Sequence, residues 1–471
     1  MLFPTIQFAI FFIVVLTANW LLLPHRQQWK WFMLGASYVF YGAWDWRFLL
    51  LIIGSTLVNQ GAAILMSGSD DQVFRKRVVA VAVGLNLATL GFFKYYGFFV
   101  SSLLNLFSSI GIDLPVPLLQ ITLPVGISFF TFQALSYTID VYRSRDGKAP
   151  LLDFAVFLAF FPQLVAGPIV RPSEFIPQMY TAKDPRRVDA TVGFGLIAGG
   201  LFKKVVVANT LAGAIVDPVF ASPSAHSALE VIVGVYAYAV QIFADFSGYT
   251  DIAIGVAVLM GFKFPQNFNS PYKALSIQDF WRRWHMTLSR WLRDYLYIPL
   301  GGSRGTQADT YRNLLITMVL GGLWHGAAWT FVIWGTYHGA ILAFERWRAD
   351  VVPDRTAALD SPVGRTVRRI VTFHLVCLGW VLFRADSMGR VGEILGRLTD
   401  WGPAPAVTPA VLLLVVGTIA VQYVDRDIRG RLQAAFSRLR PVTVTALLGG
   451  FLFVLDGLGP EGVAPFIYFQ F

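Results

Sequence analysis

SIQDFWRRWHMTLSRWLRDYLYIPLGGSRGTQADTYRNLLITMVLGGLWHGAAWTFVIW, residues 276–334, decides how the rest of this chain is read. It places His285 and His325 among tryptophans and aliphatic residues, surroundings in which an ionisable group is costly. Between Arg312 and Glu345 lie about 32 mostly apolar residues, whereas two full membrane crossings need about 40. The segment therefore reads as a hairpin whose apex, Gly321-Gly322-Leu323-Trp324-His325-Gly326, lies inside the bilayer. At 1.5 Å per residue, an entry of about 11 residues reaches roughly 17 Å, close to the midplane.

The flanking sequence has the composition of a membrane scaffold. Of the 471 residues, 55% are hydrophobic and 14% charged, against about 25% charged in a soluble protein. Candidate spans fall at roughly 4–23, 30–44, 47–66, 78–96, 97–110, 122–142, 151–166, 190–216, 228–260, 313–323 with 326–345, 368–384, 408–424 and 442–457. No repeat is visible, and the expectation is an all-α, polytopic, single membrane-embedded domain over residues 1–471. The run LLDFAVFLAFFPQLVAGPIV (151–170) is broken at Pro162, Gly167 and Pro168. Irregular backbone at membrane depth survives only inside protein or around a water-filled cavity, so these breaks point to a large domain with a central cavity. The first apolar run lacks a basic leader and a small-residue cleavage pattern, and reads as a transmembrane helix rather than a signal peptide.

The net charge of +10 is not a nucleic-acid signature, because the Lys and Arg residues sit in short loops between apolar runs. Segments 24–30, 75–77, 143–148, 183–187, 346–369 and 425–440 are basic and are assigned to the cytoplasm, which puts both termini outside; the topology of 97–142 does not alternate cleanly. The lone cysteine, Cys377, lies in an apolar run and has a packing role.

Several side chains are candidates for chemistry. Ser276 and Asp279 have capping-box spacing, and the helix they open would place Trp281, Trp284, His285, Leu288, Trp291, Leu292 and Tyr295 on one aromatic face. Arg282, Arg283, Arg290 and Arg293 fall mostly off that face, where they could meet lipid phosphates or those of a cytosolic donor. His285 is then either functional or a buried structural histidine of an interfacial helix. His325, at a glycine-loosened apex, is the stronger candidate, since neutral imidazole is the natural general base near pH 7; its bland alternative is a histidine satisfied by a backbone carbonyl. His338, thirteen residues on, reads as a packing or hydrogen-bonding residue. Asp245 and Asp251 lie in a long apolar run and need partners, either a histidine to orient or arginines such as Arg293 or Arg171. The tail APFIYFQF (464–471) would be an interfacial anchor, unless Tyr468 enters a cavity as a hydroxyl nucleophile.

Four motifs taken together, FFPQLVAGPIVRPSEF (160–175), DFSGYTDIAIGVAVLMGFKFPQNFNSPY (245–272), FWRRWHMTLSRWLRDYLYIPLGG (280–302) and LGGLWHGAAWTFVIWGTYHG (320–339), resemble the membrane-bound O-acyltransferase superfamily, in its bacterial alginate O-acetyltransferase branch. The resemblance covers nearly the whole chain. It implies a ring of roughly 11–14 transmembrane and re-entrant helices around a central tunnel, in a multi-pass protein of the bacterial inner membrane. An acyl group, by this resemblance acetyl from acetyl-CoA or an acyl-carrier thioester, moves to a hydroxyl, with no bound cofactor and no metal. The family histidine falls on His325 and the second motif histidine on His285, which would orient the donor or stabilise the developing oxyanion. Trp324, Asp245 and Asp251 would support them. The aromatic tail resembles a motif of bacterial acyl-export systems, making Tyr468 the acyl relay. The implied partners are membrane lipids, an extracytoplasmic SGNH-type transferase and polysaccharide export machinery, with no nucleic acid. Other acyl export (D-alanylation of teichoic acid, acetylation of peptidoglycan or cellulose), a proton-coupled transporter and a nonenzymatic scaffold are the competing expectations.

Overall fold

The computed structural model describes residues 1–113, 119–144, 147–351, 361–425, 428, 431, 434–436, 438–439 and 441–458. Among these residues every regular element is helical. Five helical stretches are long and apolar enough to cross a membrane: Trp46–Ser67, Gln72–Ser109, Ala190–Ala221, Ala228–Leu259 and Pro362–Arg384. The chain forms two compact units, Met1–Val188 with Val256–Pro265, and Asp189–Gly255 with Gln266–Phe471.

The first unit holds α1 (Ile6–Leu22), α2 (Arg26–Gly42), α3 (Leu49–Ser67), α4 (Gln72–Leu90), α5 (Tyr96–Ser109), α6 (Ile127–Arg143), α7 (Leu151–Ala159) and the single turns α8 (Phe161–Leu164) and α9 (Pro172–Phe175). A π-helical turn at Gly91–Tyr95 joins α4 to α5, so the two spans expected at 78–96 and 97–110 are one helical stretch of 38 residues. At 1.5 Å per residue that stretch is nearly twice the hydrocarbon thickness. Polar side chains tie α3, α4 and α6 together: Asn59 Oδ1 accepts from Thr138 Oγ1 at 2.6 Å and Asn86 Nδ2 at 3.0 Å. Such bonds hold helices together where lipid offers no hydrophobic drive. The broken run after α7 is enclosed, with every residue from Asp153 to Val170 buried. A Cβ on Gly167 would stand 2.6 Å from Gln163 Cα and 2.7 Å from the Pro162 oxygen, so glycine permits this fold-back.

The second unit begins with α10 (Ala190–Leu201), a π-helical segment Phe202–Ala208, α11 (Asn209–Leu211), a second π segment Ala212–Val216 and α12 (Asp217–Ala221). Then comes α13 (Ala228–Leu259), whose residues from Val256 belong to the first unit. The apolar window of α13 is 83% buried, against 44% or less for the other four membrane-length stretches, so it is an interior helix. Small residues allow this: a Cβ on Gly248 would meet the Gly200 oxygen at 2.7 Å, and one on Gly255 the Gly193 oxygen at 2.6 Å.

Next come α14 (Ile277–Trp281), α15 (Met286–Leu292), α16 (Gln307–His325), α17 (Trp329–Val351), α18 (Pro362–Arg384), α19 (Met388–Gly396), α20 (Pro409–Val421) and α21 (Pro441–Leu458). A hairpin does form, α16–α17, but it turns at 326–328 rather than at 321–326, which is helical through His325, and its arms of 19 and 23 residues are longer than the run between Arg312 and Glu345 suggested, because each helix extends past the flanking charges. It is drawn tight by glycine, since a Cβ on Gly335 would lie 2.3 Å from the Met318 oxygen. Cys377 is buried in α18, in agreement with a packing role.

Candidate active site

The helix expected through His285 is interrupted there. Ser276 caps α14 as its spacing predicts, accepting from Asp279 N at 3.1 Å. But α14 ends at Trp281, and His285 takes a left-handed conformation at φ 41° before α15 begins. The cause lies outside the helix. Asn269 N donates to the Arg283 oxygen, and Met286 N to the Asn267 oxygen, each at 2.9 Å, so segment 267–269 pairs with 283–286 and bends it. Trp284, Leu288, Trp291, Leu292 and Tyr295 are nevertheless buried, as the aromatic-face reading required, while Trp281 is half-buried.

Asn267 also sets the state of the imidazole. Its Oδ1 accepts from the backbone N of Thr287 at 3.2 Å and from Thr287 Oγ1 at 2.9 Å. A backbone N–H can only donate, so this atom is the amide oxygen. His285 Nδ1 lies 3.1 Å from the same oxygen and must therefore carry the proton, which leaves the lone pair of the neutral ring on Nε2. A neutral ring in this tautomer accepts at Nε2 and cannot donate to an oxyanion from that atom.

His325 is the last residue of α16 and is buried in an aromatic box. Its ring packs near-perpendicular to Trp324 (centroids 5.0 Å), Trp334 (5.1 Å) and Phe383 (5.2 Å). The centroids of His285 and His325 are 6.5 Å apart, and Trp324 stands 6.0 Å from His285. The structure therefore brings both histidines and Trp324 together. Phe246, on α13, packs edge-on against His285 at 4.7 Å and ties the site to the interior helix. His338 is buried against Trp334 (4.8 Å) and Trp281 (5.3 Å), in keeping with packing.

The carboxylates pair with lysines, which the sequence reading did not name. Asp245 pairs with Lys204 at 2.6 Å, both nearly inaccessible, and Asp251 pairs with Lys203, which also donates to Ser247 Oγ at 3.0 Å. Both lysines ride the π segment Phe202–Ala208, whose wider turn places consecutive residues toward α13. Of the four arginines, Arg283 pairs with Asp279 and Arg293 with Asp294, Arg282 is exposed and Arg290 half-buried. The helix break separates them among a turn, α15 and the π turn that follows, so they do not share one helix face. Tyr468 and the tail 464–471 lie outside the described residues.

Sequence reasoning did not single out Asn267, Lys203, Lys204 or Phe383. Two adjacent lysines in the apolar run 190–216 were a legible signal for the ion pairs. Asn267 left no such sign, because its contact lies eighteen residues along the chain.

The sequence model described as "MBOAT, membrane-bound O-acyltransferase family" matches residues 106–353, which include both histidines. The chain is 40% identical over 434 residues to the "Probable alginate O-acetylase AlgI" of Azotobacter vinelandii, covering 90% of this chain and 84% of that one. It is 36% identical over 387 residues to the "Peptidoglycan O-acetyltransferase" of Helicobacter pylori, covering 76% and 72%. It is 31% identical over 282 residues to the "Teichoic acid D-alanyltransferase" of Bacillus subtilis, covering 55% and 68%. A polytopic helical chain with two paired histidines inside the matched region, and relatives of this identity and coverage, belongs to the membrane-bound O-acyltransferase family and is an acyl-transferring enzyme of the membrane.

Proposed function

We propose that this enzyme takes an acetyl group from a cytosolic thioester, acetyl-CoA, and delivers it for O-acetylation of an extracytoplasmic polysaccharide of the alginate type. The observation that carries this reading is the pair of buried imidazoles with ring centroids 6.5 Å apart, in a chain whose likeness to an alginate O-acetylase runs over 90% of its length. The peptidoglycan and teichoic acid relatives support the same transfer with other acceptors.

In this mechanism His325 takes the proton of the attacking hydroxyl as its oxygen bonds to the thioester carbonyl carbon. The tetrahedral intermediate collapses, the C–S bond breaks, and the thiolate leaves with the proton that His325 returns. His285, protonated at Nδ1 by its bond to Asn267, accepts at Nε2 from an N–H or O–H of the bound substrate and so orients it. Tyr468 is the proposed hydroxyl. A phenol of pKa about 10 forms an ester still activated for a second transfer outside. That transfer falls to an extracytoplasmic SGNH-type transferase working with the export machinery. The basic loops support an inner-membrane orientation with both termini outside, and the buried broken run 153–170 supports a ring of helices around a tunnel.

The decisive test is His325→Ala. Acetylation of exported polymer, and label transfer from acetyl-CoA by the purified protein, are expected to disappear while the chain stays in the membrane at normal abundance. Undiminished acetylation would overturn the role of His325.

A further inference from the structure

Besides the paired rings, the second unit contains a cavity of about 270 Å³ whose lining includes Asn269, Ser270, Lys273, Arg283, Tyr423 and Asp425. One wall is the segment that bends the chain at His285: Asn269 N holds the Arg283 oxygen at 2.9 Å, two residues from Asn267. Ser270 (φ 49°) and His285 (φ 41°) are the non-glycine residues with positive φ among the described residues, and they lie on these two facing segments. Backbone in that region is disfavoured for side-chain-bearing residues and gathers at functional sites.

Among the described residues, the cations in and beside the cavity, Lys273 and Arg283 of the lining and Arg369 next to it, outnumber the one lining carboxylate. Lys273 Nζ lies 5.5 Å and the Arg369 guanidinium 5.6 Å from the centroid of the Tyr423 ring. Among the described residues neither cation has a carboxylate partner, and Arg369 Nε is buried without a hydrogen-bond partner. Arg283 adds a third cation, already paired with Asp279 at 2.8 Å, and Asp425 supplies one carboxylate to the lining. Clustered Lys and Arg of this kind bind phosphate through charge-assisted hydrogen bonds. Tyr423, in the lining, follows the C-terminal end of α20 and faces Arg369 of the N-terminal half of α18, and the basic segment 425–440 begins beside it in sequence. By loop charge this is the cytosolic end, the side from which a thioester donor arrives.

We propose that the cavity around Lys273, Arg369 and Tyr423 binds the phosphate of a ligand, either the nucleotide end of the coenzyme A donor or the head group of an anionic phospholipid. The assignment to the donor rests on the acyl-transfer reading given above; phosphate binding itself does not. It moves the expected donor contacts from Arg282, Arg290 and Arg293 to Lys273 and Arg369.

The test uses the full-length protein in nanodiscs and the variant K273Q/R369Q. Binding of radiolabelled adenosine 3′,5′-bisphosphate is measured by equilibrium dialysis in purely zwitterionic nanodiscs, with no turnover required. Removing two charge-assisted contacts is expected to weaken it by about tenfold or more. In the kinetic arm, the KM for acetyl-CoA rises by a similar factor, more than kcat falls, while the KM for S-acetyl-pantetheine, which lacks the nucleotide phosphates, does not change. That pattern assigns the site to the donor. If instead the bisphosphate binds neither protein, and anionic lipid stimulates wild type but not the variant, the phosphate is that of a lipid. Equal bisphosphate binding and equal lipid response in wild type and variant would overturn the proposal. A wild-type protein that binds the bisphosphate but transfers no acyl group would leave the phosphate site standing and remove the acyl-transfer reading.

Discussion

Gly322→Ala is the sharpest probe of how the hairpin places His325. A Cβ at position 322 would lie 2.2 Å from the Phe331 carbonyl oxygen and 3.2 Å from the Gly335 Cα. Both obstacles are α17 backbone and cannot rotate away, so relief requires α16 and α17 to separate by about 1 Å. His325 follows three residues later, the last residue of α16, and moves with it. A displacement of about 1 Å at a reacting group costs about 10²-fold in rate, or roughly 2.7 kcal/mol of barrier. Overpacking costs about 1–3 kcal/mol of stability as well. The matched control is Gly321→Ala, where the new Cβ meets only the tip of Leu292, Cδ1 at 3.3 Å. The assay is turnover of labelled acetyl-CoA by purified protein, with a thermal unfolding midpoint measured on each sample. The expected result is a loss of about 10²-fold for Gly322→Ala and within about threefold for Gly321→Ala. A Gly322→Ala enzyme with wild-type turnover, or two variants damaged alike, would refute the claim that close helix approach positions the histidine.

Three other outcomes follow from the same structure. Asn267→Ala leaves His285 Nδ1 and both Thr287 donors without their common acceptor, and is expected to cost about 3 kcal/mol of stability, read as a lowered unfolding midpoint, along with most of the activity; Asn267→Asp keeps an acceptor oxygen and should recover part of both. Lys204→Met removes the cation 2.6 Å from the buried Asp245 carboxylate and should destabilise by about 3–5 kcal/mol, whereas Lys204→Met with Asp245→Leu should regain most of that loss in a double-mutant cycle. Tyr468→Phe keeps the aromatic tail and removes only the hydroxyl, so polymer acetylation should vanish and mass spectrometry should find no acyl adduct on the last residues; persistent acetylation would return the tail to an anchoring role.

Much of the architecture was legible from apolar periodicity, because a membrane span needs only local information: about twenty apolar residues and flanking charge. A helical hairpin after Arg312 was legible from the apolar run, but its short length was not, since α16 and α17 extend beyond the run to 19 and 23 residues and Gly321-Gly322 lie within α16 rather than in the turn. The join of 78–96 to 97–110 was not, because a π turn at Gly91–Tyr95 leaves no mark in hydropathy. At the site, local sequence named His285 and His325 through the cost of an imidazole in apolar surroundings.

What the chain determined by itself, then, was the membrane class, the hairpin and the identity of the two histidines, each a matter of local composition and spacing. Tertiary structure alone decided that the rings stand 6.5 Å apart, that Asn267 breaks the helix at His285 and holds the proton on Nδ1, and that Asp245 belongs to Lys204. These depend on contacts between residues eighteen to forty-one positions apart, and such contacts are selected by packing of the whole unit rather than by any local preference.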